Sequence, residues 1–115
     1  MKKFSIPQFI LLEELITYVK EKADRSISYD VYTKSGDNFS ENEIVLVDST
    51  IQVDDNDKEI YPPEAIKNNL QYAYSGDQFQ DVVDLAMRQK PTATTLEIIN
   101  ALNYYSEHDD FLDIK

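Results

Sequence analysis

The 115-residue sequence predicts an α+β domain, with an N-terminal helix and two C-terminal helices packed on a small, mainly antiparallel sheet of three to four strands. Three observations lead there. Apolar residues recur at helical spacing near both ends, the middle of the chain alternates with the period of strands, and turn-forming residues separate these segments. The length suits one hydrophobic core across residues 1–115, and a composition that is 42% apolar and 11% aromatic supplies enough burial to offset the entropy of ordering it.

Taken in order, Pro7 opens the first predicted helix, because its missing N–H would be unpaired in a first turn anyway. Phe9, Leu12, Ile16 and Val19 then form an apolar stripe, widened by Leu11, Leu15 and Tyr18, that ends near Ala23. In ISYDVYT, Ile27, Tyr29 and Val31 alternate with Ser28, Asp30 and Tyr32, which predicts a half-buried strand with Tyr29 and Tyr32 on opposite faces and at least one of them exposed. After the turn run SGDNFSEN, four apolar residues from Ile44 to Val47 predict a central strand covered on both faces. Residues 49 to 62 read as two short strands around the acidic turn Asp54, Asp55, Asn56, Asp57.

Pro62 and Pro63 end the second of these strands and open the short helix PEAIKNN, and LQYAYS is extended. Ser75 with Gln78, and Thr94 with Glu97, are capping-box pairs that start two strong helices. The first buries Phe79, Val82, Val83, Ala86 and Met87 and stops at KPT; the second buries Ile98, Ile99, Leu102 and Tyr105.

The formal net charge is −11 and is unevenly spread. Residues 1 to 25 carry five basic and four acidic groups, residues 26 to 60 two and nine, and residues 61 to 115 four and nine. Such a field repels nucleic acid and anionic lipid and accelerates encounter with a positively charged protein. The lysine pair and apolar run at the N-terminus have the outline of a signal peptide, but Pro7, Gln8, Glu13 and Glu14 interrupt the run. With no cysteine in the chain and no apolar stretch of membrane-spanning length, a cytoplasmic location is expected.

Catalytic and metal motifs fail on inspection, so the reading is a binding protein rather than an enzyme, with no cofactor. Counted from Asp54 as the start of a calcium loop, the required glycine is Glu59 and the bidentate acid is Ala65. His108 lies among Glu107, Asp109 and Asp110 at a helix C-terminus, where the dipole favours it without any catalytic role. Gly36 and Gly76 belong to no phosphate-binding pattern. The eight tyrosines instead favour an interface, since tyrosine buries a large ring and keeps a polar tip.

Residues 72–111, YAYSGDQFQDVVDLAMRQKPTATTLEIINALNYYSEHDDF, carry a Tyr-Ala pair, a Ser-capped helix with DVVD, a KP break and a closing NYY. This segment resembles small acidic bacterial immunity proteins of contact-dependent growth inhibition and related polymorphic toxin systems. The resemblance implies a cytoplasmic protein that neutralises a basic toxin domain, commonly a nuclease, at the C-terminus of a secreted effector. Its motifs are structural, so it carries no site residue with it.

Charge and composition place the partner-binding residues at Asp37, Glu41, Glu43, Asp54, Asp55, Asp57 and Glu59, with Tyr61 as an aromatic anchor. A second candidate surface holds Asp77, Asp81, Asp84, Glu107 and Asp109 on the last two helices. The expected partner is a basic protein, with no nucleic acid or membrane bound, and the chain itself a monomer or weak dimer. The alternative function is a nucleic-acid mimic or regulatory adaptor occupying a basic groove. A small metal-binding domain or enzyme ranks third.

Overall fold

The computed structural model describes residues 6–21, 28–34 and 38–112. Their order is β1 (Gln8–Leu11), α1 (Leu12–Lys20), β2 (Asp30–Thr33), β3 (Ile44–Asp48), β4 (Gln52–Val53), β5 (Glu59–Ile60), α2 (Pro63–Lys67), β6 (Gln71–Ser75), α3 (Gly76–Gln89) and α4 (Thr95–His108). This is the α+β architecture expected. Four antiparallel strands form a sheet in the order β1-β3-β2-β6, and β4 and β5 form a separate two-stranded hairpin.

The first element differs from the expectation. Pro7 precedes a strand, and the helix begins only at Leu12. The run QFIL is too short to fix a period, and pairing with β3 in the register Gln8↔Val47 to Leu11↔Ile44 satisfies its backbone. Phe9 thereby leaves the predicted helical stripe and is 49% exposed on the sheet, while Leu12, Leu15, Ile16 and Val19 form the buried face of α1. Ala23, where the helix was expected to end, and Ile27, the expected start of the second strand, lie outside the described residues.

The sheet has a protein layer on each face, which explains a second departure. All four residues of β2 are buried, not alternate ones. Val31, Val45, Val47 and Tyr74 face α1, α3 and α4 in the larger core, together with Phe79, Val83, Ile98 and Leu102. On the other face Tyr32 and Leu46 pack with Ala65 under Ile51, Tyr61 and Leu70. Both Tyr29 and Tyr32 are therefore buried, at 5% and 0% exposure, and the expectation that one is exposed fails because a second layer covers the face that alternation assigned to solvent. The run Ile44 to Val47 behaves as read over three of its four residues: β3 is an interior strand in which Val45, Leu46 and Val47 are fully buried, while Ile44, at its start, is 61% exposed.

The C-terminal helices start where the capping pairs placed them. Ser75 Oγ accepts from the Gln78 N–H at 3.2 Å, and Thr94 with Glu97 closes both arms of a capping box. Lys90 adds a 2.7 Å ion pair to Glu97, bracing the link between α3 and α4. Tyr74 fixes the large core: its hydroxyl donates to the Leu102 carbonyl at 2.7 Å, and its ring stacks on Phe39 and meets Phe79 edge-on. Phe39 is held in turn by Asn103, whose amide accepts from its N–H and donates to its carbonyl.

Candidate binding surface

The sequence between β3 and β6 builds the second layer. Asp54 makes its turn: its backbone N–H donates to the Lys58 carbonyl, its carbonyl accepts from Asp57, and its Oδ1 accepts from Asn56 at 2.8 Å and Lys58 at 2.9 Å. A short acidic side chain accepting from its own turn is the arrangement Asp favours. Asp57 adopts a left-handed conformation at φ 60°, and the chain returns as β5. Asp55, Asp57, Lys58 and Glu59 are then exposed along one hairpin.

Residues 62–70 complete the layer. Pro63 starts α2, and its end is a Schellman cap, in which Asn69 is left-handed at φ 56° and the Leu70 N–H donates to the Ala65 carbonyl at 2.9 Å. The cap turns Leu70 back beside Ala65 against the sheet, while Ile66 stays 62% exposed on the outer side. Between α2 and the hairpin lies a groove of about 550 Å³, lined by Asp54, Lys58, Glu59, Ile60, Tyr61, Ala65, Ile66, Asn69 and Leu70. Ile60, Tyr61, Ala65, Ile66 and Leu70 give it an apolar part, and Asp54, Lys58, Glu59 and Asn69 a polar one.

Buried polar residues root this layer in the sheet. Asp30 and Asp48 are cross-strand partners on β2 and β3, each 6% exposed. Asp30 Oδ2 accepts from the Ile51 N–H at 3.2 Å, Asp48 Oδ1 accepts from the Ser49 N–H at 2.7 Å, and the Tyr32 hydroxyl donates to the Ser49 carbonyl at 2.7 Å. Burial raises the Asp30 carboxyl above its ordinary value of 3.8, opposed by the Ile51 bond, with the Asp77 charge adding to the rise. Burial also raises the phenols of Tyr32 and Tyr72, so both hold their protons at neutral pH.

Of the predicted binding residues, Asp54, Asp55, Asp57, Glu59 and Tyr61 share the hairpin or its exit. Tyr61 is half-buried, and its ring lies 5.9 Å from that of Tyr32, so much of it is already packed within the chain. Glu41 and Glu43 precede β3 whereas the hairpin follows it, so the strand's length separates their points of attachment. Glu43 also caps its own turn, accepting from the Ser40 N–H at 2.9 Å. Asp37 lies outside the described residues. The second acidic set sits elsewhere: Asp77, Asp81 and Asp84 follow one face of α3, and Glu107 and Asp109 stand at the far end of α4.

Sequence reasoning missed Asp30, Asp48, Ile60 and Ile66. Asp30 was read as a polar strand position and Asp48 was not singled out; only the covering layer makes them interior. A two-residue strand and a five-residue helix are too short to show a period, so nothing marked Ile60 and Ile66 as groove walls. Among the described residues no group of three or more acidic or histidine side chains is placed to hold a metal ion, and no helix is long and apolar enough to cross a membrane.

The fold and surface define a class, an acidic α+β protein with a three-layered core and an open, carboxylate-rimmed groove on its smaller layer. Within that class the chain belongs to the family of the domain of unknown function DUF7716, whose model matches residues 10–114. No curated protein and no solved structure matches it.

Proposed function

We propose that this protein works by binding a basic protein through the β4–β5 hairpin and the groove beside it, and that it is a cytoplasmic immunity protein neutralising a basic toxin domain. The observation that carries the reading is the hairpin itself. It holds Asp54, Asp55, Asp57 and Glu59 against the single cation Lys58, next to apolar side chains left open to solvent. A toxin that acts on nucleic acid needs a cationic site to hold phosphate, and an acidic surface covering that site both blocks it and speeds capture. The resemblance of residues 72–111 to immunity proteins points to the same partner class. The chain has no catalytic role in this reading; blocking is sufficient.

The test begins with the gene's neighbour. If the reading holds, the adjacent upstream frame encodes a large secreted protein with a basic C-terminal domain; that domain is expressed as a catalytically dead variant, and its affinity for this chain is measured at increasing salt. A tight complex whose association rate falls steeply with ionic strength is expected. An upstream product with no basic C-terminal domain, or a basic domain that does not bind, contradicts the proposal.

A further inference from the structure

Within the binding reading just given, the groove between α2 and the hairpin has a chemistry that narrows the partner further. Ile60 on β5 and Ile66 on α2 are 47% and 62% exposed although both line the groove, and Tyr61, Ala65 and Leu70 add to its apolar lining. Aliphatic side chains this exposed on both sides of one groove cost hydration that burial against a partner would recover. The groove is open, closer to a concave surface than to an enclosed cavity, and its volume of about 550 Å³ gives room for several side chains laid along it rather than one. The charge beside it is predominantly negative: Asp54 and Glu59 line the groove together with Lys58, the one cation of the hairpin, and Asp55 and Asp57 extend from the same turn.

A purely cationic partner would satisfy the rim and leave the isoleucines wet, whereas a purely apolar one would desolvate the carboxylates without pairing them. We infer that the groove takes a peptide segment of a basic protein in which leucine- or isoleucine-sized side chains stand beside lysines and arginines. The aliphatic side chains fill the space between Ile60 and Ile66, and the cations meet Asp55, Asp57 and Glu59. This makes the hairpin a surface with an apolar centre and a charged rim, the arrangement in which central contacts govern dissociation and rim charges govern approach.

Two synthetic peptides of equal length and charge test this on the intact chain, one built from lysine and leucine and the other from lysine and serine. The lysine–leucine peptide is expected to bind at least about tenfold more tightly and to shift the methyl resonances of Ile60, Ile66 and Leu70. Because Ile60 and Ile66 are exposed, the double variant Ile60→Ser/Ile66→Ser folds normally and is expected to erase the difference. Equal affinity of the two peptides, or a preference that survives in the double variant, overturns the groove assignment. The variant Asp55→Lys/Asp57→Lys/Glu59→Lys should weaken both peptides alike; if it weakens neither, the acidic binding reading itself fails, independently of the groove.

Discussion

At Asp54 one carboxylate oxygen accepts the N–H groups of Asn56 and Lys58, so charge and turn geometry reside in the same side chain. The two roles separate by substitution. Asp54→Asn keeps an acceptor and should leave the melting temperature close to that of the parent, whereas Asp54→Ala loses both bonds and should cost roughly 1 kcal/mol. A carboxamide as destabilising as alanine would argue against the turn role.

Asp30 carries a second prediction at this scale. Its carboxyl is raised in the folded chain by burial, so ionisation is easier in the unfolded chain. The parent therefore loses stability as pH rises from the ordinary carboxyl range through the raised value. Asp30→Asn retains an acceptor for the Ile51 N–H and does not titrate. Its stability relative to the parent should thus improve as pH rises from about 3 to about 7. Urea unfolding across that range measures it, and a flat difference, or one moving the other way, refutes the buried-acid account.

Among the elements, α3 depends on how closely it enters the sheet. The Gly76 N–H donates to the Tyr29 carbonyl at 2.8 Å, and a Cβ there would stand 2.6 Å from that same oxygen. Gly76→Ala must push β6 or the approach to β2 apart and should cost about 1 to 3 kcal/mol by thermal unfolding; an unchanged melting temperature would refute the contact. The sequence did not reveal this role, since Gly76 follows a capping serine and reads equally well as an ordinary first-turn residue.

Legibility follows element length. The fourteen-residue helices α3 and α4, with side-chain caps and full apolar periods, were readable to their starting residues. So was β3, whose apolar run needs no partner to be recognised. The QFIL segment misled because four residues are too few to fix a period, and β2 misled because burial of its second face depends on the distant residues 51–70. The acidic turn was visible as a hairpin, but the groove beside it was not, because it is a relation between two elements that carry no period of their own.

For the whole molecule, the fold distributes negative charge over two separate surfaces. The hairpin acids lie on the layer covering one face of the sheet, and Asp77, Asp81 and Asp84 lie on a helix packed against the other. The hairpin set adjoins the groove beside α2; on the helical side Asp84 borders a smaller hollow of about 270 Å³ whose lining also holds Lys20 and Arg88, so the acid there is outnumbered by cations. On the proposed function the hairpin makes the contacts and the α3 acids contribute long-range attraction. The decisive measurement compares two triple charge reversals, Asp55→Lys/Asp57→Lys/Glu59→Lys and Asp77→Lys/Asp81→Lys/Asp84→Lys, by association and dissociation kinetics with the basic partner domain. The hairpin variant should lose affinity by at least about a hundredfold, including faster dissociation, while the helix variant changes mainly the association rate. Faster dissociation confined to the helix variant, with the hairpin variant unchanged, would contradict the account.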